Sequence, residues 1–162
     1  MEYKYSINSS RNNVWNTLIR LEEIYHKTSP AHHFFRVRGG GPLAEKSVID
    51  CEETVDGQHV KHVFEMDRFE ENSCIVYSSK KTITTMPNGN VFNSETICCF
   101  YINDVDVLDL NKTDLYFAVL LVFPNPVIRF VASLLGTYGT WKPHIVEESL
   151  NLARIIESGP SH

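Results

Sequence analysis

The sequence has little positive charge and no long uninterrupted apolar run. Its 162 residues include 15 lysines and arginines against 20 acidic residues, which gives a formal net charge of −5. A protein with this charge balance binds a polyanion poorly, so we expect no nucleic acid partner. The most apolar stretch, 115–135, is interrupted by Pro124-Asn125-Pro126 and carries Arg129. It therefore does not predict a transmembrane helix.

Cysteine is scarce and is not spaced for a metal or disulfide framework. No two of the four cysteines form a Cys-x-x-Cys pair, and two are adjacent: Cys51, Cys74, Cys98 and Cys99. The segment Met1–Tyr5 is polar and acidic where a signal peptide is basic and then apolar. We therefore expect a cytoplasmic protein whose cysteines are reduced and serve as small core residues.

Glycine and proline mark only short turns, and no repeat occurs, so we expect a single domain over residues 1–162. Tyr3–Ile7 alternates as a strand, and Ser9-Ser10 offers an N-cap to a helical pattern over 14–24. Pro143–Ser158 has the spacing of a long closing helix. Between them lie β-rich runs separated by polar turns: Lys46–Val55, Gln58–Asp67, Cys74–Thr84, Val91–Ile102 and Thr113–Phe123.

This order of elements predicts an α+β fold, in which a short N-terminal helix and a long C-terminal helix flank a curved antiparallel sheet over a cavity. It resembles the helix-grip fold of the Bet v 1, START and polyketide-cyclase superfamily, also called SRPBCC. The opening segment Tyr5–Leu18, in which Val14-Trp15 follows a polar turn, is similar to that superfamily's first strand and helix. The resemblance implies a small hydrophobic or aromatic molecule as the partner.

Three segments carry side chains that ligate metals. His144 and Glu148 are spaced one helical turn apart, although a solvated surface pair is the commoner cause of this spacing. Glu53 lies on the less polar face of Ser47–Val55, so we expect it to point inward unless the strand frays there. His32-His33 lies in a connection, where adjacent histidines are more often exposed than ligating.

Four residues in chain order resemble the zinc site of the 2,4-diacetylphloroglucinol hydrolase family of helix-grip enzymes: His33, Glu53, His144 and Glu148. The matching segments are Tyr25–His33, Glu53–Gly57 and His144–Leu152. The resemblance implies that these residues bind zinc or another divalent transition metal, with His32 and Glu52 as alternatives if the register slips by one. It also implies hydrolysis of a carbon-carbon bond next to a ketone in a small aromatic or β-diketone compound.

Tyr25 and His62 are the candidate catalytic residues. The resemblance implies that Tyr25 is a substrate-binding phenol, with packing at a helix end as the equal alternative. His62 shares a strand face with Val60 and Phe64, so it can enter the cavity as an acid, a base or a support for the metal ligands. A satisfied core histidine is the commoner role on such a face.

Two alternatives also fit the same pattern. A non-enzymatic carrier would bind a hydrophobic small molecule in the cavity, with the histidines and glutamates merely solvated. A homodimer through the apolar segment 115–135 is also left open.

Overall fold

The computed structural model describes residues 1–104, 111–123, 125, 126, 129 and 137–159. The helices with both ends among these residues are α1 (Arg11–Leu18), α2 (Leu21–Thr28) and α3 (Thr137–Ser158). Its strands are β1 (Glu2–Ile7), β2 (His32–Val37), β3 (Val48–Val55), β4 (Gln58–Glu70), β5 (Cys74–Thr85), β6 (Val91–Asp104) and β7 (Thr113–Val122).

Within the described ranges, the seven strands form one sheet in the order β1-β7-β6-β5-β4-β3-β2. Every pair of neighbours is antiparallel, and the register shifts at irregularities between β2 and β3, β4 and β5, and β5 and β6. Such irregularities bend and twist a sheet. The sheet curls around α3, which confirms the predicted α+β helix-grip fold.

The core lies between the concave face of the sheet and α3. Ile145, Leu152 and Ile156 are all buried and belong to the same cluster as Phe100 and Phe117 of the sheet. Their spacing on one helical face is the one that the closing-helix pattern predicted. In the part of the chain that the structure describes, no helix is long and apolar enough to cross a membrane.

The hairpin between β3 and β4 shows why its turn needs the predicted Asp56-Gly57 pair. Asp56 and Gly57 have φ angles of 49° and 75°, both in the left-handed region that a two-residue hairpin turn of this kind requires. A Cβ atom on Gly57 would also lie 3.2 Å from Cγ of Pro87. Glycine is therefore favoured there both by the backbone and by packing.

Three features differ from the sequence prediction. The helical pattern over 14–24 is divided between α1 and α2, because Arg20 adopts a non-helical conformation with φ −104° and ψ 28°. Pro143 lies inside α3 rather than at its start, which costs the helix one backbone hydrogen bond. His32 and His33 are the first two residues of β2 instead of the end of the connection before a strand. Of the segment 115–135, on which the homodimer prediction rests, residues 124, 127, 128 and 130–135 lie outside the described residues.

Candidate metal centre

Three buried side chains bring metal-ligating atoms within 4.8 Å of one another: His32, Glu53 and His144. Nε2 of His144 lies 3.0 Å from Oε2 of Glu53, and Nε2 of His32 lies 3.6 Å from the same oxygen. Glu148 extends the group, because its Oε1 lies 3.9 Å from Nε2 of His32. Two imidazoles and two carboxylates thus converge from β2, β3 and α3.

Local geometry explains how Glu53 and the α3 pair reach this point. Successive residues of β3 alternate in burial, with Ile49, Cys51, Glu53 and Val55 on the buried face. This confirms the predicted inward direction of Glu53. His144 and Glu148 lie one turn apart in α3, and α3 crosses the concave side of the sheet.

The structure places His33 outside the group and His32 inside it. His33 is exposed and its Nε2 lies 2.8 Å from Oγ1 of Thr54, on the outer face of the sheet. Val37 and Phe35 are buried, so regular alternation along β2 would make His33 point inward as well. However, β2 has a bulge between His32 and Phe34. The extra residue reverses the phase of the strand, so the inward position falls on His32. We therefore replace His33 by His32 in the candidate ligand set.

Hydrogen bonds determine which nitrogen of His32 faces the site. Its Nδ1 lies 2.9 Å from the carbonyl oxygen of Tyr25 and 3.1 Å from Oγ1 of Thr28. A carbonyl only accepts, so Nδ1 carries the ring proton and Nε2 is left with a lone pair. Burial lowers the pKa of His32 to about 4, which keeps the ring neutral. Nε2 is buried and has no hydrogen-bond partner.

Glu53 is a buried carboxylate that hydrogen bonds keep ionised. Burial acts to raise its pKa, but hydrogen bonds from His144 and His62 outweigh burial and hold the pKa well below its ordinary value. His62 lies 3.2 Å from Oε1, whereas His144 contacts Oε2. Burial acts to lower the pKa of His144, and the bond to Glu53 more than offsets it, so that pKa is raised.

Glu148 has the opposite electrostatic character. Its side chain is 14% exposed. Burial raises its pKa to about 8, with the nearby charge of Glu53 acting in the same direction and His144 partly opposing both. When no cation lies between two carboxyl groups that face one site, ionising both has a high free-energy cost, so Glu148 takes up the proton.

The middle of α3 is held in place by the end of α2. Oγ of Ser29 lies 3.5 Å from Nδ1 of His144 and donates to Glu147 at 3.3 Å. Nδ2 of Asn151 donates to the carbonyl of Thr28 at 2.9 Å. The residues around the His144–Glu148 pair therefore connect α3 to the helix that precedes β2.

A cavity lies beside the candidate ligands, between the sheet and α3. The cavity has a volume of about 40 Å³. The empty volume is about 450 Å³ when the mouth open to solvent is included. Most of the lining is aromatic or aliphatic: Tyr25, Phe35, Phe64, Tyr77, Phe117, Val119, Leu121, Trp141 and Ile145. The polar lining comprises Cys51, Glu53, His62, Thr96, Cys98 and Glu148.

Both candidate catalytic residues line this cavity. Tyr25 stacks on the ring of His32 with centroids 3.7 Å apart, and its hydroxyl lies 3.2 Å from Sγ of Cys51. Burial raises the pKa of Tyr25 well above its ordinary value. Both ring nitrogens of His62 are engaged, Nε2 by Glu53 and Nδ1 by Oγ1 of Thr82 at 2.9 Å. This arrangement favours His62 as a support for Glu53 over an acid or base.

Sequence reasoning did not identify the hydroxyl residues around the site: Thr28, Ser29, Thr82 and Thr96. Thr28-Ser29 shortly precedes the histidine pair, and this proximity was a usable signal. Thr82 follows a bulge in β5, where Lys80 and Lys81 are exposed and the register with β6 shifts. Its inward direction does not follow from simple alternation.

No protein-family model matches the sequence, and no curated protein matches it significantly. Solved structures share its fold at low identity. The protein TTHA0849 from Thermus thermophilus has a TM-score of 0.68 at 10% identity, with 99% of each chain covered. The Zhui aromatase/cyclase from Streptomyces sp. R1128 has a TM-score of 0.66 at 10% identity, with 97% of this chain and 92% of that chain covered.

A START superfamily protein from Mycobacterium smegmatis has a TM-score of 0.60 at 14% identity, with 98% of this chain and 97% of that chain covered. At such identities the likeness shows the helix-grip fold alone.

Proposed function

We propose that this protein is a metal-dependent hydrolase that cleaves a carbon-carbon bond next to a ketone in a small aromatic or β-diketone compound. Zinc, or another divalent transition metal, is bound by His32, Glu53, His144 and Glu148. The reaction and substrate class rest on the resemblance of the segments around these residues to the 2,4-diacetylphloroglucinol hydrolase family. The metal site is supported also by the convergence of these four side chains at one buried point.

The observation that carries the metal proposal is the unpartnered Nε2 of His32. Its lone pair faces Oε2 of Glu53 at 3.6 Å and Oε1 of Glu148 at 3.9 Å, and none of these atoms can donate to the others once both carboxyl groups are ionised. Burying acceptors against each other is costly. A divalent cation satisfies all of them at once, and this mixture of nitrogen and oxygen donors suits zinc.

The metal and the residues of the protein have different roles in the reaction. When bound, the metal polarises a carbonyl oxygen and lowers the pKa of a water molecule. Hydrolysis places the hydroxyl of water on the carbonyl carbon and a proton on the departing carbon, which yields a carboxylic acid and a shortened arene or ketone. The apolar walls of the cavity exclude bulk water and orient the substrate.

Tyr25 is the residue best placed to hydrogen-bond the substrate. Its raised pKa keeps the phenol protonated, and Sγ of Cys51 is only a weak acceptor. The hydroxyl can therefore turn to a substrate oxygen. The backbone carbonyl of Tyr25 also accepts the hydrogen bond that orients the ring of His32. Tyr25 therefore both contacts the substrate and positions a metal ligand.

Metal analysis tests the first part of the proposal. Protein without a histidine tag, purified without chelator, is expected to contain about one zinc or other transition metal per chain by elemental analysis. Glu53→Gln is expected to abolish this content. Glu52→Gln is the matched control, because Glu52 lies on the outer face, where it pairs with His59 and Lys61.

A substrate panel tests the second part. Acylphenols and β-diketones are expected to be cleaved with loss of turnover in chelator and recovery with zinc. Stoichiometric metal without cleavage of any ketone or ester in a broad panel would refute the hydrolase activity. Absence of metal in the wild-type protein would refute the site itself.

The second candidate function is a carrier of a hydrophobic small molecule, which the mostly aromatic and aliphatic lining of the cavity favours. Native mass spectrometry distinguishes the two functions. A co-purifying organic ligand in a chain without metal supports the carrier, whereas a metal-bound chain supports the hydrolase.

A further inference from the structure

A chain of buried hydrogen bonds begins at Glu53, leaves the cavity and returns to it. Nε2 of His62 lies 3.2 Å from Oε1 of Glu53, and Nδ1 lies 2.9 Å from Oγ1 of Thr82. Oγ1 of Thr82 lies 2.8 Å from Oγ1 of Thr96. His62, Thr82 and Thr96 are only 5%, 1% and 2% exposed. Glu53 and Thr96, the two ends, both line the cavity.

The donors and acceptors give this chain one direction. The ionised carboxylate of Glu53 only accepts, so Nε2 of His62 carries the ring proton and donates to it. When His62 carries only this one ring proton, Nδ1 has a lone pair and accepts from the hydroxyl of Thr82. Since Thr82 has used its only proton, its oxygen accepts from the hydroxyl of Thr96. Thr96 therefore directs its proton away from the cavity and offers a ligand only lone pairs.

We propose that Thr96 is a specificity-determining residue that accepts a hydrogen bond from a hydroxyl or N–H group of the ligand. This inference rests on the proposed function, because it takes the cavity as the ligand site. Thr96 is paired in the sheet with Leu121, and the next inward residue of that strand is Val119, so the cavity wall beside Thr96 is apolar. A ligand donor satisfies the lone pairs of Thr96, whereas a ligand carbonyl placed there meets another acceptor.

The lining also restricts the charge of the ligand. Among the described residues, no lysine or arginine side chain lines the cavity, and Glu53 contributes an ionised carboxylate. In the metal-free protein an anionic group would be buried without a counter-ion. The ligand class for the metal-free cavity is therefore a neutral apolar or aromatic compound with one hydrogen-bond donor positioned for Thr96.

Thr82 offers a way to reverse this preference from outside the cavity lining. Thr82→Val keeps the shape of the side chain and removes the oxygen that accepts from Thr96. The hydroxyl of Thr96 is then free to turn and donate to a ligand. If the role of Thr96 were only structural, Thr82→Val would not change the relative affinity for ligands that accept and ligands that donate a hydrogen bond.

The test uses three single-ring probes of similar size, whose binding is measured by fluorine NMR titration of chelator-treated protein. The probes are para-fluorophenol, which donates; para-fluorobenzaldehyde, which only accepts; and para-fluorotoluene, which does neither. The wild-type protein is expected to bind the phenol roughly fivefold to tenfold more tightly than the toluene, the effect of one neutral hydrogen bond. Thr96→Ser is expected to keep this ratio, and Thr96→Val to reduce it to about one.

Thr82→Val is expected to increase binding of the aldehyde relative to the phenol by roughly fivefold or more. An unchanged phenol-to-toluene ratio in Thr96→Val overturns the proposal, and so does an unchanged aldehyde-to-phenol ratio in a folded Thr82→Val variant. If Thr82→Val does not fold, the Thr96→Ser and Thr96→Val pair decides alone.

The same titrations separate this inference from the proposed function. Failure of the folded wild-type protein to bind any of the three probes refutes the cavity as a ligand site and, with it, the proposed function. Equal affinity for all three probes overturns only the role of Thr96.

Discussion

His32 and His33 are consecutive in the chain, yet their imidazoles lie on opposite faces of β2. The side chain of His32 is 0% exposed and faces Glu53 and Glu148, whereas His33 contacts Thr54 on the outer face. A bulge between His32 and Phe34 produces this arrangement. The pair therefore provides a matched comparison within a single dipeptide, because the two substitutions differ in burial and direction but not in chemistry.

The first prediction uses this pair. His32→Ala is expected to weaken zinc binding by at least about 100-fold, because a direct ligand is worth more than a residue that only orients a ligand, whose loss costs about 10-fold to 100-fold. His33→Ala is expected to leave zinc affinity unchanged. Competition with a chromogenic chelator measures both affinities. Equal losses in the two variants would contradict the assignment of His32 as a ligand.

The second prediction concerns His62 as a positioning residue for Glu53. His62→Leu removes the hydrogen bond to Oε1 of Glu53, so zinc affinity is expected to fall by about 10-fold to 100-fold. His59→Leu is the control, because His59 lies on the same strand but bonds to Glu52 on the outer face at 2.7 Å. Unaltered zinc affinity in a folded His62→Leu protein would show that Glu53 needs no such support.

The third prediction is that the metal-free protein loses stability as the pH rises from about 6.5 to about 8.5. The pKa of Glu148 is raised to about 8 by burial, against an ordinary value of 4.5, so in this range the folded state holds a proton that the unfolded chain has released. The raised pKa of His144 acts in the same direction. For Glu148 alone the loss in free energy of unfolding is about 2 kcal/mol.

Urea denaturation in chelator at the two ends of that pH range measures the loss. Glu148→Gln is expected to reduce the pH dependence, because an amide does not titrate. With saturating zinc the trend should reverse, since metal binding requires deprotonated ligands. A Glu148→Gln variant with the full wild-type pH dependence would show that another group is responsible.

The fourth prediction tests the β3–β4 hairpin. Gly57→Ala places a Cβ atom 3.2 Å from Cγ of Pro87 in a residue with φ 75°. Gly40→Ala imposes a similar φ of 74°, but nothing lies within 4 Å of the new atom. We expect each substitution to lower stability by about 1 kcal/mol from backbone strain, and Gly57→Ala to cost more. Equal thermal shifts in the two variants would contradict a packing contribution at Pro87.

The sequence by itself determined most strands, the closing helix and the direction of two site residues. Alternation along β3 and β4 turned Glu53 and His62 inward, and both side chains are buried. Spacing by one helical turn placed His144 and Glu148 together. These inferences succeeded because they depend only on the periods of a strand and a helix, which are properties of the local backbone.

Only the tertiary structure decided which histidine joins the group and whether its members meet. A bulge inserts one residue into β2, so that His32 instead of His33 points inward. The periodicity of a sequence does not reveal where the register of a strand will shift. The curl of the sheet brings β2 and β3 against α3, which lies more than eighty residues along the chain from Glu53. The direction of the Thr96 hydroxyl likewise depends on its hydrogen bond to Thr82 and on the hydrogen bond between Thr82 and His62, which together span three strands. Such contacts are long-range, and they form only when the curled sheet is complete.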